Sequence, residues 1–170
     1  MEKRQMAFSE RISGFSLPGW EQIPDLGLYM DQVMTFTQRQ LAPLFADAER
    51  VFTPPMVNNY VKMGLISRPV DKKYGREQLA QLLMVCVLKQ SASAEEMKRL
   101  LELPESGDAR ALYEAFCMTQ NEIFLELSAV LPFPNPVTCA LRASSYRLLL
   151  SAVMEKEGLP RAEKHGAQNG

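Results

Sequence analysis

The sequence predicts a mainly α-helical fold with a small two-stranded β-wing near residues 65–75, followed by a helical C-terminal region. Three observations lead there. Apolar residues recur at helical spacing through most of the chain. That periodicity breaks over residues 65–76, where Pro69 lacks an N–H donor and Gly75 relaxes the backbone around a basic turn. Start and stop signals stand between the remaining apolar runs.

The elements follow in order. Residues 1–24 mix charge, Ser, Gly and Pro and read as an extended arm, with Trp20, the sole tryptophan, docking onto the body. Asp25 follows Pro24 as an N-cap, and Leu26, Met30, Val33, Thr37, Leu41, Leu44 and Phe45 mark a first helix over 26–46. Thr53-Pro54-Pro55 opens a short helix over 54–63, because proline suits a first turn whose N–H has no intrahelical partner. Gly64 ends it. A helix resumes from Glu77, and its run Leu82–Leu88 is apolar all round, which requires burial. Ser93-Ala94-Glu95-Glu96 is a capping box for a helix running to Leu103 before Pro104. A longer helix spans 109–131. Asn135 and Pro136 start a last one, to about Glu157. The domain reading is an arm (1–24), a folded domain (25–103), a helical dimerisation or effector region (104–157) and a disordered tail (158–170). No internal repeat is visible.

Composition bounds the function. With 170 residues, 46% hydrophobic and 23% charged, the chain is long enough to bury a core without staples. A net charge of −1 excludes a basic coat for nucleic acid, so any such contact rests on a local patch. The only histidine, His165, lies in the polar tail, which argues against a histidine-based triad or a His-rich metal site. Cys86, Cys117 and Cys139 are odd in number, far apart and form no CxxC, so neither a zinc site nor a disulfide framework is indicated. Scattered thiols suit a reducing cytoplasm, and no membrane segment is expected. The acids Glu95, Glu96, Glu114, Glu122 and Glu126 read as helix-surface groups. No catalytic residue, cofactor or metal ligand is expected, and the chain does not read as an enzyme.

The helix over 54–63 carries the chemistry. At about 100° per residue, Met56, Val57, Tyr60, Val61 and Met63 fall on one broad arc. Asn58, Asn59 and Lys62 share the opposite arc. Asn makes bidentate contacts to adenine, and Lys reaches guanine or phosphate. Between Lys62 and Arg76 stand Lys62, Arg68, Lys72, Lys73 and Arg76 against one acid, Asp71. A polar helix face followed by a basic turn is the layout of a recognition helix that reads bases and a wing that holds phosphates. A solvated helix face and a solvated charged hairpin are the plain alternatives.

Residues 51–103 resemble the winged helix-turn-helix of the MerR family. The resemblance is carried by Thr53-Pro54, by Val57, Tyr60, Gly64 and Leu65, by Lys72-Lys73-Tyr74-Gly75-Arg76-Glu77-Gln78-Leu79 and by Ser93-Ala94-Glu95-Glu96-Met97. Asn58 and Asn59 stand where that family usually has Arg-Tyr, and its long coiled coil is not evident. The broader stretch 20–103 resembles a family of small bacterial proteins known only as a domain of unknown function. Trp20, residues 28–33, residues 53–62 and Arg68-Pro69-Val70 carry that likeness. The resemblance implies a MerR-like DNA-binding fold.

The functional expectation is a cytoplasmic transcriptional regulator that binds double-stranded DNA through Asn58, Asn59, Lys62, Arg68, Lys72, Lys73 and Arg76. The alternative is a protein–protein interaction module that keeps the fold without binding DNA. The apolar second half is expected to form a homodimer, with a thick monomeric core as the alternative. Phe116, Cys117, Met118, Phe124, Phe133 and Tyr146 either line a pocket for an unidentified small-molecule effector or are plain core.

Overall fold

The computed structural model describes residues 14–45, 52–102, 107–129 and 135–156. Among these are a 3₁₀ turn, Trp20–Gln22, and six α-helices: α1 Met30–Leu41, α2 Pro54–Lys62, α3 Arg76–Leu88, α4 Ala94–Leu100, α5 Ala109–Ala129 and α6 Pro136–Lys156. The chain divides into two compact units, Met1–Pro132 and Phe133–Gly170. The expected disordered tail lies outside the described residues, as do Phe133 and the first thirteen residues of the expected arm.

The first unit is built around α3. Leu79, Ala80 and the run Leu82–Cys86 are buried on every side, as a helix without a polar face requires. It packs against α1 and α5, α1 packs against α2, and α5 against the 3₁₀ turn. Val33, Leu41, Phe52, Val57, Ile66 and Tyr113 complete this core. The arm docks onto it. Ile23 is buried, and the Trp20 ring lies 6.0 Å from that of Tyr113.

The expected β-wing is absent, and this corrects the fold class to mainly α. Among the described residues there are no strands, only two isolated antiparallel bridges, Leu28 with Tyr74 and Val70 with Lys73. Val70 and Lys73 exchange both backbone hydrogen bonds, at 3.0 and 2.8 Å. The next hydrogen-bonded rung of such a hairpin pairs Arg68 with Gly75. Those groups are already engaged. Gly75 N–H donates to Gln78 Oε1 at 2.9 Å, and the Gly75 carbonyl accepts from Leu79 N–H in the first turn of α3. Gln78 Nε2 donates to the Arg68 carbonyl, and Ser67 N–H donates to Gln81 Oε1 at 2.9 Å. Two glutamines of α3 thus hold the backbone that a second strand would have needed.

The first helix also starts later than its periodicity suggested, at Met30. Residues 27–28 are kept extended by the bridge to Tyr74, and Gln32 Oε1 accepts from Tyr29 N–H to open the helix. Leu26 is left 83% exposed. Asp25 does not cap the helix and lies 3.9 Å from Arg76. Three other signals act locally as expected. Gly64 takes a left-handed φ of 73° behind α2. Ser93 and Glu96 exchange capping bonds at 3.2 and 2.7 Å. Asn135 Oδ1 accepts from Val137 N–H, with Pro136 as the first residue of α6.

The second unit is represented by α6. Val137, Leu141, Tyr146, Leu148, Leu149 and Val153 are all exposed on this 21-residue helix.

Candidate nucleic-acid interface

Helix α2 is fixed by its apolar face. Val57 and Tyr60 are buried, and burial raises the Tyr60 phenol above its usual range. The Thr53 carbonyl accepts from Met56 and Val57, whereas its hydroxyl makes no cap. Behind Gly64, Leu65 and Ile66 donate back to the Tyr60 carbonyl and are themselves buried. With both ends held, Asn58, Asn59 and Lys62 project together into solvent. Asn59 Nδ2 contacts Met63 Sδ at 3.4 Å, an easily exchanged partner.

The basic turn follows. Asp71 and Lys72 have φ of 49° and 62°, the two left-handed residues of a type I′ turn. Asp tolerates that conformation better than Lys, and the strain is held by the flanking Val70–Lys73 pair. Arg68, Lys72 and Lys73 are exposed. The Lys73 ammonium lies 5.2 Å over the Tyr29 ring. Gly27 accepts the Lys73 stem so closely that a Cβ there would lie 2.8 Å from Lys73 Cβ. Val70, 71% exposed, and the exposed Tyr29 give this turn an apolar flank. Nothing in the local sequence pattern pairs Tyr29 with Lys73, because the bridge through Tyr74 brings them together.

Arg76 has a different setting. Its guanidinium donates to Glu21 Oε2 at 3.1 Å and to the Ile23 carbonyl at 3.0 Å, and lies 5.9 Å from the Trp20 ring. Glu21 also receives Arg110 at 2.8 Å. Arg76 is a strut between the arm and α3.

The expected pocket residues of α5 have different settings. Phe124 lies in a cleft of about 350 Å³ with Gly14, Phe15, Asn121 and Ser128, its ring 5.8 Å from that of Phe15. Met118 is exposed, Cys117 is half-buried with its thiol raised by burial, and Tyr146 belongs to the second unit. A larger cleft of about 450 Å³ is lined by Gly64, Ser67, Gln81, Lys98, Arg99 and Glu102, which the sequence pattern did not single out. Cys86 is buried in α3 and its thiol is pushed up to about 12, so it stays protonated at neutral pH. Among the described residues, no group of three His, Cys, Asp or Glu is placed to hold a metal ion, and no helix is long and apolar enough to cross a membrane.

No curated protein and no solved structure matches the chain. The family described as Domain of unknown function (DUF1836) matches residues 18–116, from Pro18 at the docked arm to Phe116 in the second turn beyond Asp108. That stretch holds the end of the arm, α1 to α4 and the start of α5 with its buried Tyr113, and the chain therefore belongs to this family of unknown function.

Proposed function

We propose that this protein binds double-stranded DNA as a bacterial cytoplasmic transcriptional regulator, with α2 laid in the major groove. The observation that carries the reading is the joint exposure of Asn58, Asn59 and Lys62 on a short helix whose opposite face is buried. Two amides and one ammonium, with no carboxylate among them, suit the acceptor-rich edges of adenine and guanine. Arg68, Lys72 and Lys73 supply charge to neighbouring phosphates. The likeness of α2 and its flanks to the MerR recognition helix supports the same assignment, without a β-wing. Arg76 is left out, because its charge is engaged by Glu21.

A homodimer belongs to this reading, since one short helix reads only a few base pairs and two half-sites give specificity. The exposed apolar residues of α6 are the surface assigned to it.

The test is selection from a random duplex library, followed by salt titration of the selected site. Three phosphate contacts per protomer give a log–log slope of about −2.7 for each half-site, or about −5.4 for the dimer. Asn58→Ala costs about 1–3 kcal/mol at the selected site and less on random duplex. Absence of salt-dependent duplex binding would reject the reading. It would favour the alternative, a protein-interaction module, for which the exposed Leu26, Tyr29 and Val70 beside the basic turn already speak.

A further inference from the structure

The cleft of about 450 Å³ between the end of α2, α3 and α4 has a donor-rich lining. Lys98 and Arg99 contribute cations. Gln81 Oε1 already accepts from Ser67 N–H, so its amide N–H₂ is the function left over. Among the described residues Glu102 is the sole acid in the lining. Lys98 has a structural reason to be there. Its Nζ stands 3.7 Å from where a Cβ on Gly64 would be, just behind the C-terminus of α2, where a cation is favoured. Arg99 has no such reason. Its Nη2 is buried and has no hydrogen-bond partner among the described residues. A buried cationic donor without an acceptor is costly, and such groups in native proteins usually meet an ion, water or ligand.

We propose that this cleft binds a small molecule carrying a phosphate or carboxylate group, with the Arg99 guanidinium as its anchor and Lys98 as the second charge. The volume falls within the ordinary range for small-molecule sites, and a guanidinium fork matches either oxyanion. The site stands independently of whether α2 reads DNA.

The experiment titrates the full chain with sodium pyrophosphate at constant ionic strength, with chloride as the reference, and follows backbone amide NMR shifts. The expected result is a saturable response at residues 64–67, 81 and 98–102. Arg99→Gln should weaken the apparent affinity at least about tenfold, the loss expected of one charge-assisted hydrogen bond. Lys98→Gln removes an exposed side chain and should weaken it several-fold with the fold intact, so it carries the test if Arg99→Gln fails to fold. Arg39→Gln, an exposed cation on α1, should change nothing. A response that only follows ionic strength, or that is equal in the wild type and Lys98→Gln, overturns the proposal. A second arm adds a short DNA duplex. If the cleft variants lose duplex affinity while pyrophosphate gives no saturable response, the cleft is a backbone-phosphate contact and the free-ligand proposal falls.

Discussion

The Tyr113 hydroxyl donates a 2.8 Å hydrogen bond to the Pro18 carbonyl in full burial, across 95 residues of sequence. It closes the family unit on itself. The tyrosine at the start of α5 reaches the first residue of the matched stretch, and the Trp20 ring packs against it. Tyr113→Phe keeps the ring but strands the Pro18 carbonyl, for an expected loss of about 1–3 kcal/mol. Tyr113→Ala should lose about 3–5 kcal/mol. Chemical denaturation followed by the fluorescence of Trp20, the sole tryptophan, measures both. Equal stability of wild type and Tyr113→Phe would show that the bond contributes nothing.

Alkaline pH should destabilise the protein through its buried acids. The folded Cys86 thiol is pushed from 9.0 to about 12, so its contribution is intact below 9.0 and is lost as pH rises through 12. Tyr60, Tyr74 and Tyr113 are raised by burial and act in the same direction above their usual 10.0. Denaturation midpoints should therefore be level from pH 7 to 8.5 and fall beyond. Cys86→Ala starts lower because of the lost packing, and its deficit should narrow as the pH passes 9.0. A constant deficit up to pH 11 would contradict this.

Gln78 holds two backbone groups at once, the Gly75 N–H and the Arg68 carbonyl. Gln78→Ala should cost about 1 kcal/mol, in the range of a lost helix cap. Hydrogen exchange should show the change at Gly75 and the first turn of α3, with the middle of α3 unaffected until global unfolding.

Lys72 combines a left-handed φ with an exposed charge, so its substitution separates fold from binding. Lys72→Gly should relieve up to about 1 kcal/mol of backbone strain. In the DNA-binding reading it also removes one phosphate contact per protomer, flattening the salt slope by about 0.9 for each half-site. A duplex titration at several salt concentrations, beside a thermal melt, reports both.

The exposed apolar residues of α6 should be covered by a second copy. Six apolar side chains stand exposed on this helix, more than a solvated helix usually shows. Light scattering should give a dimer at micromolar concentration and a folded monomer for Leu149→Glu. A wild-type monomer unchanged by that substitution would reject the dimer.

Local signals in the sequence carried the helices well. The two faces of α2, the all-round apolar run of α3, the Ser93–Glu96 box and the Asn135-Pro136 start each depend on residues within a few positions of one another, so pattern and structure agree. The wing failed because its second rung lost a competition that periodicity cannot display. Gln78 looks like any polar residue in a first helical turn, yet its amide engages one donor and one acceptor that the rung required, the Gly75 N–H and the Arg68 carbonyl. Arg76 read as one of five similar cations for a comparable reason. Its partner Glu21 lies 55 residues earlier, and only the docked arm brings them together. The late start of α1 has the same origin, since Leu28 is held extended by Tyr74, far along the chain. Nothing in the sequence pattern marks Lys98 and Arg99, and only the packing of Gly64 and Gln81 beside them makes a cleft.

The engagement of Gly75 and Arg68 by Gln78 also bears on how the molecule behaves in a crowded solution. A two-stranded wing presents a row of open amides and carbonyls, and another chain can extend it by adding a strand. Here the turn stops after one pair, and the amide and carbonyl that would open the next are already tied to a side chain of the helix behind them. The basic tip can be offered to a partner at full exposure without serving as a template for the edge-to-edge association that leads to aggregation.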